Sequence, residues 1–353
     1  MKKVIITGVT GQDGSHMADY LLKNTDNLIV GGVRRLSVKN HQNIEHLTKN
    51  PRFKLIDLDI TDQLNTYKVI EQEAPDYFIN FAANSFVGTS WSMPVHHMET
   101  NAMAVLYQLD SILRSKPDCR YYNAGSSEEF GDVVSSPQDE THELRPRSPY
   151  GASKASARHL VKVYRESYNL HAVQGWLFNH EGTRRGEDFV TRKITKNAAR
   201  ISKSIKLNEQ FDPISLGNLD AKRDWSDAED FVHGVWLMLN NKLGARDYVL
   251  SSGETHSIRE FVEECFICAN IPGYWSGSGT EEKFLIENNV IEEYNLKSHV
   301  LINVSEEFYR PAEVDLLLGD PSLAEKELGW ERKTDFKGLV RKMYENDYNL
   351  LSK

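Results

Sequence analysis

Residues 4–14 read Val-Ile-Ile-Thr-Gly-Val-Thr-Gly-Gln-Asp-Gly, and this run constrains the fold more than any other. A short apolar, β-rich segment, Val4–Thr7, stops at Gly8. Glycines recur at Gly11 and Gly14, and apolar residues then fall at Met17, Leu21 and Leu22, on one helical face. Strand, glycine turn and helix is the context that gives such a motif meaning. The first glycine permits the tight turn, the second lets backbone approach a pyrophosphate, and the third lets the helix pack close. The helix N-terminus adds unpaired N–H groups and positive potential for phosphates. The spacing is GxxGxxG rather than GxGxxG, and in this position it reads as a dinucleotide site held by Gly8, Thr10, Gly11, Gln12, Asp13 and Gly14.

Further strands are expected at Leu28–Val33, Phe53–Ile60, Tyr77–Ala83, Arg120–Ala124 and Ala172–Leu177, with helices over Met103–Leu113 and Ala152–Tyr168. That alternation predicts a parallel, doubly wound sheet, whose ligands sit at the carboxyl ends of the strands. The second strand ends in Arg34-Arg35. An NAD site usually places Asp or Glu there for the ribose hydroxyl, whereas two guanidiniums suit a 2′-phosphate, so the expected cofactor is NADP. Asp57 or Asp59 is placed to meet the adenine edge or to begin a turn. Small residues at Ala82 and Ala83 let backbone pass close to the cofactor.

Ser126–Lys154 carries the chemistry. Ser126-Ser127-Glu128 follows a strand end, and Tyr150 and Lys154 share one helical face four residues apart. A tyrosine with a pKa of about 10 becomes a base at neutral pH only if that value falls by roughly 3 units, about 4 kcal/mol. A neighbouring ammonium acts in that direction. The phenolate then removes a sugar hydroxyl proton while hydride leaves the same carbon, and Ser126 hydrogen-bonds that oxygen. Glu128 is left for a separate step, since a carboxylate beside a new ketone suits removal of the acidic proton next to it.

At 353 residues the chain is long enough for two lobes. A net charge of −9 argues against nucleic acid as a partner. Three cysteines make no disulfide framework, and Cys265-Phe-Ile-Cys268 lies in an apolar periodic run, Ile258–Ile271, as core helix rather than a metal site. No signal peptide or membrane-spanning run is read, so a reducing cytoplasm is expected. Beyond Asn179-His180-Glu181 the texture becomes basic, with Arg184, Arg185, Arg192, Lys193, Lys196, Lys222 and Arg223, as a diphosphate-bearing substrate requires. The expected division is residues 1–180 for the dinucleotide domain, with 217–253 returning to it, and 181–216 with 254–353 for a smaller mixed α/β substrate lobe. The Glu-rich loop around Gly277–Lys283 reads as exposed and mobile.

These residues resemble the extended short-chain dehydrogenase/reductase family and, within it, the GDP-mannose 4,6-dehydratase group, along nearly the whole chain. The resemblance rests on Thr7–Ser15, Val33–Arg35, Ile44–Leu47, Ala82–Trp91, Ser126–Glu128, Arg147–Lys154, Leu177–Glu181, Phe189–Lys193 and above all Ser215–Trp225. It implies a Rossmann-like fold and a lyase of deoxysugar biosynthesis, as in GDP-fucose supply. Tyr150, with Lys154 and Ser126, would oxidise C4 of a nucleotide-linked hexose. Glu128 would take the C5 proton and assist water loss from C6, giving GDP-4-keto-6-deoxymannose. The resemblance also implies cofactor contacts at Gly8, Gly11, Asp13, Arg34, Arg35, Asp59, Ile60, Ala82, Ala83, Ser85, Tyr150, Lys154, His180 and Arg185. Implied contacts to GDP-mannose or a close relative are Ser85, Ser126, Ser127, Glu128, Asn179, Lys193, Arg223, Arg310 and Glu313. Homodimers or homotetramers are implied as well. The chain departs from many relatives at Ser126 (threonine), Asn84 (glutamine), His96 (tyrosine) and Gly182-Thr183 (Ser-Pro), none of which removes a catalytic group.

Three other readings stay open: the same dehydration on a GDP-linked heptose, a nucleotide-sugar 4-epimerase, and a non-catalytic NADP-binding redox sensor. Epimerases of this family typically carry a hydroxyl residue where Glu128 stands, and a sensor predicts a missing Tyr, Lys or Glu.

Overall fold

The computed structural model describes residues 1–294, 296, 299–308 and 317–351. In chain order the elements begin with β1 (Lys3–Thr7), α1 (Gln12–Asn24), β2 (Leu28–Val33), β3 (Phe53–Asp57), α2 (Gln63–Glu73), β4 (Tyr77–Asn80), α3 (Pro94–Met98), α4 (Ala104–Ser115), β5 (Arg120–Ala124), α5 (Pro149–Tyr168) and β6 (Ala172–Leu177). They continue with β7 (Asn179–Glu181), α6 (Val190–Lys206), β8 (Ile214–Leu216), β9 (Lys222–Arg223), β10 (Trp225–Asp227), α7 (Ala228–Leu239) and β11 (Val249–Leu250). The remainder are β12 (His256–Ser257), α8 (Ile258–Cys268), β13 (Gly273–Ser276), β14 (Lys283–Ile286), α9 (Asn288–Tyr294), β15 (Val300–Val304), α10 (Ser322–Leu328) and α11 (Phe336–Leu350).

The chain divides into two compact units. The first is Met1–His180, Ala228–Glu254 and Leu317–Lys333; the second is Glu181–Asp227, Thr255–Leu316 and Thr334–Lys353. A seven-stranded sheet ordered β11-β6-β5-β4-β1-β2-β3 forms the first, and all its pairings are parallel. This is the Rossmann-like α/β fold expected. Parallel strands buried on both faces need continuous apolar runs, and Val4, Ile5 and Ile6 of β1 alternate between two cores. One core packs α1, α7 and α10 on one face of the sheet around Met17, Leu21, Val235 and Trp330. The other packs α2, α4 and α5 on the opposite face around Ile70, Leu109 and Val161.

The second unit holds a four-stranded sheet ordered β13-β14-β15-β8 and its own core, in which Ile194, Ile201, Phe261, Cys265, Leu339 and Met343 meet. Cys265 is fully buried there, and burial pushes its thiol well up. Residues 277–282 form the turn of the β13–β14 hairpin and are exposed, as expected, except Glu282, which is half-buried against Arg259.

The observed division departs from the expected boundaries twice. Residues 217–227 lie in the second unit, because β9 pairs with β12 (Arg223 opposite His256) and Trp225 packs on Phe261 and Phe336. Leu317–Lys333 lies in the first unit instead of the second. Gln138 N donates to Leu318 O at 2.7 Å, Asp320 N to Gln138 O at 2.9 Å, and the Trp330 indole to Asp230 O at 2.9 Å. Among the described residues no helix is long and apolar enough to cross a membrane.

Candidate active site

The glycine turn has no room for side chains. Gly8 is left-handed (φ +65°), and a Cβ there would lie 2.7 Å from Ala82 N; a Cβ at Gly14 would collide with the Gly8 carbonyl. Gly11 N donates back to Gly8 O at 2.9 Å. Gly11 is also the N-cap of α1 and offers no side-chain cap to its first amides. The absence of side chains at Gly8 and Gly14 and the uncapped start of α1 fit a dinucleotide's pyrophosphate. Asn43 holds the loop from outside by donating to Thr10 O at 2.9 Å. Asp13 Oδ2 lies 2.9 Å from His180 Nε2, Gln12 donates to Asp13 Oδ1 at 3.0 Å, and His180 Nδ1 lies 2.8 Å from Phe178 O.

Arg34 and Arg35 follow β2 and are exposed. Strand β3 ends at Asp57 rather than Ile60. Asp59 turns the chain by accepting from Thr61 N (3.0 Å) and Thr61 Oγ1 (2.7 Å), and its own N donates to Asn65 Oδ1 at 2.9 Å. Asp59 thus begins a turn, directly after the end of β3. Likewise β4 ends at Asn80 rather than Ala83, because the Ala82 N–H leaves the ladder for Thr7 Oγ1 at 3.2 Å. Ala82 and Ala83 are half-buried and Ser85 is exposed. The helix expected from Met103 starts at Ala104, after a π-helical turn, Glu99–Met103. That turn points Asn101 inward: its Nδ2 donates to Asn84 O and Ser153 Oγ, each at 3.1 Å, and its Oδ1 accepts from Asn84 N at 2.9 Å.

The four residues assigned the chemistry come together at the carboxyl end of β5. Ser126 caps the turn Ser127–Glu129, its hydroxyl accepting from Glu128 N at 3.2 Å while Glu129 reaches back to Ser126 N at 2.8 Å. Ser148 caps α5 by accepting from Gly151 N at 3.0 Å, and Pro149 sets its first turn. A Cβ at Gly151 would meet Glu128 O at 2.5 Å, so the helix start lies directly on the serine turn. Lys154 donates to Ala124 O at 2.7 Å, and its nitrogen sits 5.9 Å from the centre of the Tyr150 ring. Burial, at 4% exposure, pushes Lys154 down to about 8, with Glu129 and then Asp13 pulling the other way. A buried ammonium beside a buried phenol is the arrangement that makes tyrosine a base.

Two groups in the site escaped the sequence. His97, on α3, stands edge-on to Tyr150 with ring centres 6.1 Å apart, and Thr89 Oγ1 lies 3.3 Å from its Nε2. Burial, then the charges of His96 and Lys154, push its pKa down. Glu129 is fully buried and ion-paired to Arg158. Nothing in the spacing of a Glu-Glu pair distinguishes its two members. A buried polar ladder runs to Glu129 across the sheet. The Thr7 hydroxyl donates to Asn80 Oδ1, Asn80 Nδ2 to Asn123 Oδ1 at 2.7 Å, Asn123 Nδ2 to Gln174 Oε1 at 2.7 Å, and Gln174 Nε2 to Glu129 Oε1 at 3.0 Å. Alternation within β-strands places all four on one side of the sheet, a signal readable only once strand register is known.

Of the remaining expected contacts, Asn179 lies on β7 and is half-buried. In the second unit Arg185 pairs with Glu181 at 3.0 Å and stacks over Phe189, while Arg223 lies on β9 and donates to Lys222 O at 2.7 Å. Lys193 sits 3.5 Å above the Phe308 ring, and burial lowers its pKa. Arg310 and Glu313 lie outside the described residues.

Known proteins give the comparison. The family model described as GDP-mannose 4,6 dehydratase matches residues 5–343. A GDP-mannose 4,6 dehydratase of Drosophila melanogaster is 41% identical over 360 residues, covering 100% of this chain and 87% of its own. That of Homo sapiens is 40% identical over 355 residues, covering 98% and 91%. Among solved structures, a UDP-glucuronic acid 4-epimerase of Bacillus cereus, in complex with UDP-glucuronic acid and NAD, superposes with a TM-score of 0.79 at 22% identity over 99% of both chains. That likeness carries the fold alone, whereas the family match spans nearly every residue, from β1 to the middle of α11. The chain therefore belongs to the GDP-mannose 4,6-dehydratase family.

Proposed function

We propose that this protein converts GDP-mannose to GDP-4-keto-6-deoxymannose and water, using NADP. The observation that carries the reading is Glu128, a carboxylate in the turn capped by Ser126 and packed on the first turn of the Tyr150–Lys154 helix. An oxidation alone needs only the hydroxyl, the phenol and the ammonium. The carboxylate adds a base for elimination.

The residues act in sequence. Lys154 holds Tyr150 as phenolate, Ser126 orients the C4 oxygen, and Tyr150 takes the C4 hydroxyl proton as the ketone forms. The ketone makes the C5 proton acidic. Glu128 takes that proton and supplies one to the C6 hydroxyl, which leaves as water. Glu128, now a carboxylate again, takes a proton from solvent and delivers it to C5 as C6 is reduced to a methyl, while Tyr150 releases the C4 hydroxyl proton to solvent, so the protons balance. The chemistry a bound nicotinamide dinucleotide supplies is reversible hydride exchange, out from C4 and back to C6. Gly8, Thr10, Gly11, Gln12, Asp13, Gly14, Asp59, Ile60, Ala82, Ala83, Ser85 and His180 would hold it. Arg34 and Arg35 favour NADP over NAD through the 2′-phosphate. Ser127 and Asn179 are assigned to the nucleotide sugar.

Isotope transfer tests the reading. GDP-mannose deuterated at C4 gives a product with the label in its C6 methyl group. Label returned to C4 of an epimeric sugar makes the protein an epimerase instead. Conversion of a GDP-heptose with GDP-mannose untouched would move the substrate by one carbon and keep the mechanism.

A further inference from the structure

We propose that Glu129, clamped by Arg158 and Gln174 beneath the Ser126 turn, is a positioning residue that holds the Tyr150–Lys154 pair in its reactive charge state. The inference rests on the reading of Tyr150 and Lys154 as the oxidising pair, and assigns a role to a carboxylate that touches no substrate.

Glu129 has no exposed surface and Arg158 has 4%. Every neighbour of the Glu129 oxygens is a donor: Ser126 N at 2.8 Å, Gln174 Nε2 at 3.0 Å, and the Arg158 guanidinium through Nε and Nη2. Its group therefore sits there as a carboxylate. The space is closed around it, since a Cβ at Gly125 would lie 2.7 Å from both the Arg158 guanidinium and Glu129 Oε1. Gln174 joins this charge to the helix that carries the reacting pair, because its second N–H donates to Lys154 O at 3.2 Å. Glu129 thus fixes the serine turn from below and Lys154 from the side.

Its second effect is electrostatic. The charges acting on Lys154 are Glu129 first and Asp13 second, both negative, and they oppose the burial that would strip its proton. Other titratable groups near the pair are His97 on α3 and Tyr122 on β5, which feels Asp13, Arg158, Glu129 and Asp247. Arg158 Nη1 also meets Asp247 at 3.3 Å, and Asp247 is taken by Arg165 at 2.8 Å. Two guanidiniums and two carboxylates balance one another, so the cluster stays buried without net charge. Removing the Glu129 charge alone lowers the proton affinity of every neighbour. Both Lys154 and Tyr150 then titrate at lower pH.

The test is Glu129→Gln, read in two ways. In turnover of GDP-mannose, both limbs of the kcat profile move to lower pH by about one unit, with KM little changed. In the free protein, ultraviolet difference titration of the Tyr150 phenolate, taken as parent minus Tyr150→Phe in each background, moves the same way. The double variant Glu129→Gln, Arg158→Met removes both charges of the pair, so its limbs return toward the parent positions, and Glu129→Asp, which keeps the charge, leaves them in place. A lower kcat with both titrations unmoved would make Glu129 a structural residue only and overturn the proposal. A phenolate titration that shifts in a protein inert toward GDP-mannose would support Glu129 and overturn the dehydratase reading instead.

Discussion

Lys154 is kept charged at a cost in stability. Its fall from 10.5 to about 8 amounts to about 3 kcal/mol of stability given up to keep an ammonium in a buried place. The sign follows from proton binding. The unfolded chain binds the proton more tightly, so the penalty is complete below about pH 8 and fades as pH rises toward 10.5. Lys154→Met, allowing for the lost bond to Ala124 O, is expected to raise the unfolding free energy at pH 7 by about 2 kcal/mol while abolishing turnover. Urea titration at pH 7 and pH 10 checks this, with the gain shrinking at the higher pH. Glu128→Gln leaves oxidation at C4 intact but has no base for C5. Single-turnover absorbance should then show reduced cofactor accumulating, and normal product from that variant would contradict the role. Arg35→Ala is expected to weaken NADP about tenfold and NAD hardly at all, by direct binding titration. That Tyr150, Lys154, Ser126 and Glu128 lie together at the end of β5 was legible, because a helix pair four apart and a serine turn after a strand fix their places. Glu129 was not, because its role depends on Arg158 and Gln174, reached only through the fold.

The elements were legible in type and less so in extent. Apolar runs announced β1 to β6 correctly, since strands buried on both faces have to be apolar throughout. Their carboxyl ends were overestimated at β3 and β4. Asp59 and Ala82 look compatible with a strand but spend their backbone groups on Asn65 Oδ1 and Thr7 Oγ1. Those departures occur at the edge where the ligand reading places the dinucleotide. The π-helical turn at Glu99–Met103 left no periodic trace, because its function is to aim one side chain, Asn101. The glycine turn, by contrast, is rigid in the way the motif demands. Gly14→Ala sets a methyl against the Gly8 carbonyl, a backbone atom with no room to yield. It is expected to weaken dinucleotide binding at least about tenfold and to cost about 1–3 kcal/mol of stability, measured by binding titration and by denaturant unfolding.

At the scale of the whole molecule, each unit has its own core, and the first is assembled from three separate stretches of chain. The return of Ala228–Glu254 lies within the stretch, 217–253, expected to rejoin the first domain, but for its last residue. The return of Leu317–Lys333 was not legible, because it is tied by scattered bonds, to Gln138, from Tyr248 and Arg246 to Glu327, and from Trp330 and Lys333 to Asp230, with no repeat to read. Trp330 is almost wholly buried against Phe231 and Ala324, so Trp330→Ala is expected to destabilise the first unit by about 3–5 kcal/mol in urea unfolding. The central claim is that one site oxidises, eliminates and reduces without net consumption of cofactor. The most direct measurement is a mass spectrum of GDP-mannose incubated with the protein and NADP⁺, with absorbance of NADPH followed alongside. A product lighter by one water, with no net NADPH, is the predicted result. An unchanged mass, or one NADPH formed for every sugar consumed, would contradict it.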